Sequence, residues 1–340
     1  MMYGVLSYSI VYMHTDSIAG AIDPYSLNLS HQKLTDALHM LFSTSVPSFF
    51  ILWGYLSHKY LSDTATTPTS YLKNKILHFW PIYIFFSCFI NIANIAIRHN
   101  IKDLLPIHSL ILSILGFGAW FPSHIMAPLF VSLLVISVLK YFKHNKNILV
   151  VYTFFIFFVG NFLPDNPSSI LIANLFFHTA FCLGILIKEY DLLSFQSNRI
   201  STICLCAIGV GIYISYVFGL QIFFTRFPNS YGHLAISLSF LIIGYNLICI
   251  FFSKIPSLAK KLLCTIGTFA FAHMIIHIQF MNLFNTVGKA FLIPPVAIQV
   301  ISLTTTPIIS IYIIFPIYNY LESSFIELYT KRRWPLSGFQ

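Results

Sequence analysis

Long apolar runs alternate along this chain with short clusters of charged, Pro and Asn residues. Ten such runs, at 2–15, 39–60, 76–97, 122–142, 147–163, 168–188, 200–219, 233–252, 262–284 and 292–321, predict ten helices. Most reach the ~20 residues that a helix rising ~1.5 Å per residue needs to cross ~30 Å of hydrocarbon. A further apolar piece, 104–118, is short and broken by Gly116 and Gly118, which predicts an interfacial or re-entrant helix. The first run is short too, because a helix from Met1 to His14 rises only ~20 Å. Either that helix is thinly anchored or the chain starts further upstream. With no basic stretch before it and no small-residue cleavage site after it, a cleaved signal peptide is not expected.

Composition turns this pattern into a fold class. The 340 residues are 57% hydrophobic and 9% charged, more apolar surface than a soluble core of this size can hide. The expected fold is all-α, a polytopic integral membrane bundle of about ten transmembrane helices. Loop charge then orients it. With the N-terminus in the cytoplasm, 14 of the 19 Lys and Arg fall on the inner side and 5 on the outer, while the 10 acids divide equally. The whole net charge of +9 thus lies on one face, and both termini are expected to be cytoplasmic. The cations are scattered over short loops without interleaved aromatics, which argues against nucleic acid and for the anionic headgroups of the lipid bilayer as partner. Short loops also leave no room for an appended soluble domain, so residues 1–340 read as a single transmembrane domain. The six cysteines lie in or at the ends of runs, so no disulfide framework is implied.

Ionisable groups at membrane depth are costly and are default functional candidates. Asp, Glu, Lys and Arg are almost absent from the runs. Histidine is not: His14, His39, His78, His178, His233, His273 and His277 lie in or at the ends of them. A neutral imidazole can serve as base or nucleophile there, and it can equally make an interhelical hydrogen bond. His273 and His277 form H-M-I-I-H, an i,i+4 pair on one helix face. The zinc-protease version has Glu after the first His, whereas Met274 stands here and the run holds no carboxylate, so no metal is expected. Lys73, Lys75 and His78 mark the cytoplasmic start of the third run. They are either donors for the phosphates of a nucleotide-type cofactor or snorkelling anchors. His14 and Asp16 close the first run on the outer side, and a turn after His14 would bring the carboxylate to the imidazole.

Four segments, in order, carry a resemblance. They are S-Y-S-I-V-Y-M-H ending at His14, P-S-F-F-I-L-W-G-Y-L (Pro47 to Leu56), Y-L-K-N-K-I-L-H-F-W-P-I-Y (Tyr71 to Tyr83) and I-G-T-F-A-F-A-H-M-I-I-H (Ile266 to His277). Trp120-Phe121 and F-C-L-G (Phe181 to Gly184) accompany them. Together they resemble the membrane-bound acyltransferase-3 family, whose members O-acylate bacterial surface glycans and other sugars and usually have ten spans. The chain departs from that family's pattern at Tyr3, where an Arg is usual, and at Trp53, where a Ser is usual. Lys75 and His78 stand for an Arg pair, and Lys lacks the planar fork of Arg. Ala270 and Met274 replace a Ser and a Tyr.

The resemblance implies a bacterial cytoplasmic (inner) membrane enzyme, with acetyl-CoA or another acyl-CoA as donor on the cytoplasmic side. The acceptor would be a glycan or lipid-linked sugar of O-antigen, capsule or exopolysaccharide, and glycan-assembly proteins are possible partners. Lys73, Lys75 and His78 would then hold the CoA phosphates, with the thioester reaching toward His14. In this reading His14 is general base or transient acyl carrier and Asp16 orients it. His277 would bind the acceptor or make an interhelical bond, and Trp120 would stack on a sugar or belong to an aromatic belt. The rival expectation is a membrane protein of polysaccharide export or polymerisation. Export proteins tend to show internal repeats or matched broken helices and polymerases a large outer loop. Neither is visible here, the longest outer loop being about 16–38.

Overall fold

The computed structural model describes residues 1–10, 12, 29–63, 67–71, 73, 134–142, 145–162, 169–195, 198–219, 231–268, 270, 273, 277, 284, 287–288 and 291–331. Every regular element among them is helical. In chain order these are α1 (2–10), α2 (Leu29–Ser43), α3 (Ser45–Ser62), α4 (134–141), α5 (Lys146–Phe162), α6 (Ser169–Glu189), α7 (Arg199–Val217), α8 (Tyr231–Phe251), α9 (Ser257–Thr268), α10 (Pro295–Ile309) and α11 (Phe315–Lys331). A π-helical turn, Ser310–Ile314, joins the last two.

Among the described residues, four stretches are long and apolar enough to cross a membrane: Asp36–Leu61, Arg199–Val217, Gly232–Lys254 and Val300–Ser324. They coincide with the predicted runs 39–60, 200–219, 233–252 and 292–321, and mark the chain as a membrane protein. α5 and α6 occupy the runs 147–163 and 168–188. The run 76–97 and the piece 104–118 lie outside the described residues, and 2–15, 122–142 and 262–284 are described in part. One expectation is corrected: the outer loop 16–38 is helical from Leu29 onward. That segment docks as a helix because Tyr213 of α7 donates to the Ala37 carbonyl at 3.0 Å, and Met40 is buried beside Ile236.

The bundle is organised around α3 and α6. A Cβ at Gly54 would collide with the Phe181 carbonyl, and one at Gly184 with the Ile51 carbonyl. Only hydrogen at both positions lets the two backbones touch, and close backbone approach is what gives helices dispersion attraction in a medium as apolar as themselves. α4 and α5 pack on one side of this pair through Val135, Ile136, Leu139 and Leu149. α8, with α7 against it, lies on the other through Leu234, Leu241 and Ile242. α1 crosses α9 at a second glycine contact: Gly4 meets the Leu263 carbonyl, and a Cβ on Gly267 would stand 2.9 Å from the Gly4 nitrogen. The outward faces stay apolar, with Val151, Phe154, Phe155 and Phe158 of α5 each more than half exposed, as a lipid-facing surface requires.

Candidate functional site

Pro307 sits inside α10, and its ring nitrogen cannot donate to the carbonyl one turn back. That carbonyl belongs to Leu303, and the Tyr8 hydroxyl of α1 donates to it at 3.1 Å. Three residues past the proline the helix widens into the π turn, where Phe315 donates to the Ser310 carbonyl. Single π turns are frequent at functional sites. Here it presents Ser310, whose hydroxyl lies 2.8 Å from Nδ1 of His273.

Other polar side chains of these helices and of α1 are buried as well. Ser302, Thr306, Ser310, His273, His277 and Ser7 are all buried. The two imidazoles stack with centroids 6.1 Å apart, and His277 Nδ1–H donates to the His273 carbonyl at 3.1 Å. That bond fixes the neutral tautomer of His277, leaving the lone pair on Nε2. His273 Nε2, Ser7 Oγ and Thr306 Oγ1 are buried without a hydrogen-bond partner among the described residues. Such atoms are expensive away from water, so each is a position where an ordered water or a polar guest would be stabilising.

The second constellation lies at the basic end. Glu189, at the C-terminus of α6, accepts from His58 Nε2 at 2.7 Å and from Lys146 Nζ at 2.5 Å. The hydrogen bond to Glu189 holds the Lys146 ammonium above its ordinary range. Beside it, Tyr71 is buried with its ring 4.6 Å from that of Tyr60 and its hydroxyl 3.5 Å from Ser57 Oγ. Tyr71 thereby anchors the segment that carries Lys73, which is exposed, to the end of α3. Lys188 stands 5.1 Å over the Tyr55 ring, and Lys140 Nζ donates to the Asp63 carbonyl at 2.8 Å.

Of the predicted site residues, His277 is buried in the polar cluster and Lys73 is exposed at the basic end. His14, Asp16, Lys75, His78 and Trp120 lie outside the described residues. Among the described residues no three His, Cys, Asp or Glu side chains converge as metal ligands. Two further predicted histidines make interhelical bonds: His178 with the Tyr152 hydroxyl at 2.8 Å and His233 with Ser43 Oγ at 3.1 Å. Two positions where the chain departs from the acyltransferase-3 pattern are filled by packing. Tyr3 meets the Phe49 ring at 4.6 Å and Trp53 meets the Phe181 ring edge-on at 5.4 Å, both against the core around α3 and α6. Sequence reasoning missed Ser310, Tyr8 and the His58–Glu189 pair. The available signals were Pro307 in an otherwise regular apolar run, and a His and a Glu at the same-face ends of two runs.

No protein-family model matches the chain, and no similar sequence among curated proteins and no similar solved structure was found.

Proposed function

We propose that this chain is a ten-span protein of the bacterial cytoplasmic membrane, both termini inside, which transfers an acyl group from acyl-CoA to a hydroxyl of a surface-glycan sugar. Acetyl is the simplest acyl group for the reaction. The observation that carries the reading is the buried histidine and hydroxyl cluster next to α1. Gly4 lies against Gly267, and His14 and His277 each follow their glycine by ten residues. On the proposed topology both segments rise from the basic face, and the equal spacing of ten residues is what the proposed pairing of His14 with His277 requires. Ala270 stands where the acyltransferase-3 pattern has a serine, and the buried hydroxyl that meets His273 is that of Ser310.

In the reaction, His14 takes the proton from the sugar hydroxyl as its oxygen attacks the thioester carbonyl. The C–S bond then breaks, and the CoA thiolate recovers the proton from the imidazolium. In the two-step variant His14 accepts the acyl group first and passes it on. Asp16 orients His14, and His277 and Trp120 hold the acceptor. Lys73, Lys75 and His78 hold the CoA phosphates at the basic end, where charge-assisted hydrogen bonds are available.

The test is the O-acyl content of the host's surface glycan, read by NMR before and after mild base. A deletion strain is complemented with the intact gene, His14→Ala or His277→Ala, with expression matched. The expected result is a base-labile acyl signal lost on deletion, restored by the intact copy, absent with His14→Ala, as loss of a general base worth about 10²–10⁴-fold predicts, and lowered with His277→Ala, as loss of an acceptor contact predicts. An unchanged acyl pattern with glycan shortened or missing overturns the reading in favour of export or polymerisation.

A further inference from the structure

A cleft of about 560 Å³ runs between the α5–α6 pair and the α7–α8 pair. Phe157, Thr179, Leu183, Leu205, Ile212 and Leu238 line it. Polar groups contribute almost nothing to its walls, and one of its few hydroxyls, Thr153, is already spent on the Leu149 carbonyl at 2.7 Å. Such a cavity neither hydrates nor binds a polar molecule, since water there would forfeit its hydrogen bonds. Left empty, its walls would lose dispersion contacts along their length. Phe154 lines the cleft and is 68% exposed on the lipid-facing side of α5, so the opening faces hydrocarbon.

The shape is elongated. At the basic end, Thr202 Oγ1 donates to the Leu192 carbonyl at 3.1 Å, which sets the two residues at one level, and Leu192 lines the cleft. Ile212 of α7, ten residues further along, and Gly232 at the start of α8 line it as well. At ~1.5 Å per residue the cleft is ~15 Å long, about half the hydrocarbon core. Tyr190 closes the basic end, and Lys146 Nζ lies 6.0 Å from its ring centroid, half exposed and tethered by Glu189. Arg199, exposed at the start of α7 three residues before Thr202, adds a second cation at this end, where Glu189 is shared by Lys146 and His58.

We propose that this cleft binds one acyl chain of an anionic phospholipid from the leaflet at the basic end, with the headgroup beside Lys146. The chain fills the apolar walls, and the half-exposed Lys146 ammonium attracts the anionic headgroup at the leaflet surface. This site is separate from the histidine cluster and stands whether or not the chain transfers acyl groups.

The test uses the full-length protein in nanodiscs containing a phosphatidylglycerol with a diazirine halfway along one chain. After illumination, labelled peptides are mapped by mass spectrometry. The expected result is concentrated labelling of the peptides holding Phe157, Leu183, Leu205 and Leu238. Leu183→Trp, which fills the cleft, should lower it at least fivefold. The milder Leu238→Phe should lower it about twofold, and covers the case in which the larger side chain impairs folding. Ile208→Trp, on an exposed face outside the cleft, should leave it unchanged. Lys146→Gln should reduce labelling by the phosphatidylglycerol probe and leave that by the matching phosphatidylcholine probe, while Lys146→Arg restores the preference. Labelling spread evenly over exposed helix faces, or unaltered in both cleft-filling variants, overturns the proposal. Equal labelling by the two headgroups overturns its anionic half.

Discussion

Pro307 and Tyr8 show how a single residue's chemistry propagates in hydrocarbon. A proline leaves one carbonyl without its helical partner, water is absent, and a hydroxyl from another helix must complete the count. Removing that hydroxyl with Tyr8→Phe should lower stability in detergent by about 0.5–1.5 kcal/mol, the range for a single interhelical hydrogen bond. Pro307→Ala restores the donor, so Tyr8→Phe should be nearly silent in that background. Thermal unfolding of the four proteins of the cycle measures the difference, and equal losses in both backgrounds would show that the Tyr8 hydroxyl does not serve the Leu303 carbonyl. The histidines were legible in sequence as polar groups at depth, but their partners were not. His178 finds a tyrosine and His233 a serine on other helices, and no spacing rule along one helix encodes those pairings.

At the scale of elements, glycine decides where helices meet. Gly54, Gly184 and Gly267 all fall in motifs that stand out in the sequence, and each lies at a backbone-to-backbone crossing. A methyl at Gly54 or Gly184 meets a carbonyl, which cannot rotate away as a side chain can, so the helices themselves must part. Gly54→Ala and Gly184→Ala should each destabilise the protein by about 2–3 kcal/mol, near the upper end for overpacking. Gly211 has open space where its Cβ would be, and Gly211→Ala should be neutral or stabilise by up to about 1 kcal/mol through helix propensity. Chemical denaturation of the three variants in one detergent distinguishes them, and a cost at Gly211 equal to that at Gly54 would contradict the crossing geometry. In the same region Tyr3 and Trp53 put aromatic area into the core beside α3 and α6.

For the whole molecule, the asymmetry of charge predicts an orientation, and Glu189 ties the basic end together, joining α3 and α5 to the end of α6. Reporter fusions check the orientation. Green fluorescent protein after residue 331 should fluoresce, and alkaline phosphatase inserted near Asp165 should be active while one near Lys143 is not; the reverse pattern would invert the topology. Sequence by itself determined the helical class, the membrane as solvent and the positions of the four described stretches long enough to cross it. These follow from hydropathy and a fixed rise per residue, both local properties. Tertiary structure alone decided that α3 and α6 form the central pair, that α2 begins inside a presumed loop, and that Ser310 meets His273. Those depend on which faces approach closely enough for dispersion and hydrogen bonds, and contacts between residues far apart in the chain leave no periodicity to read.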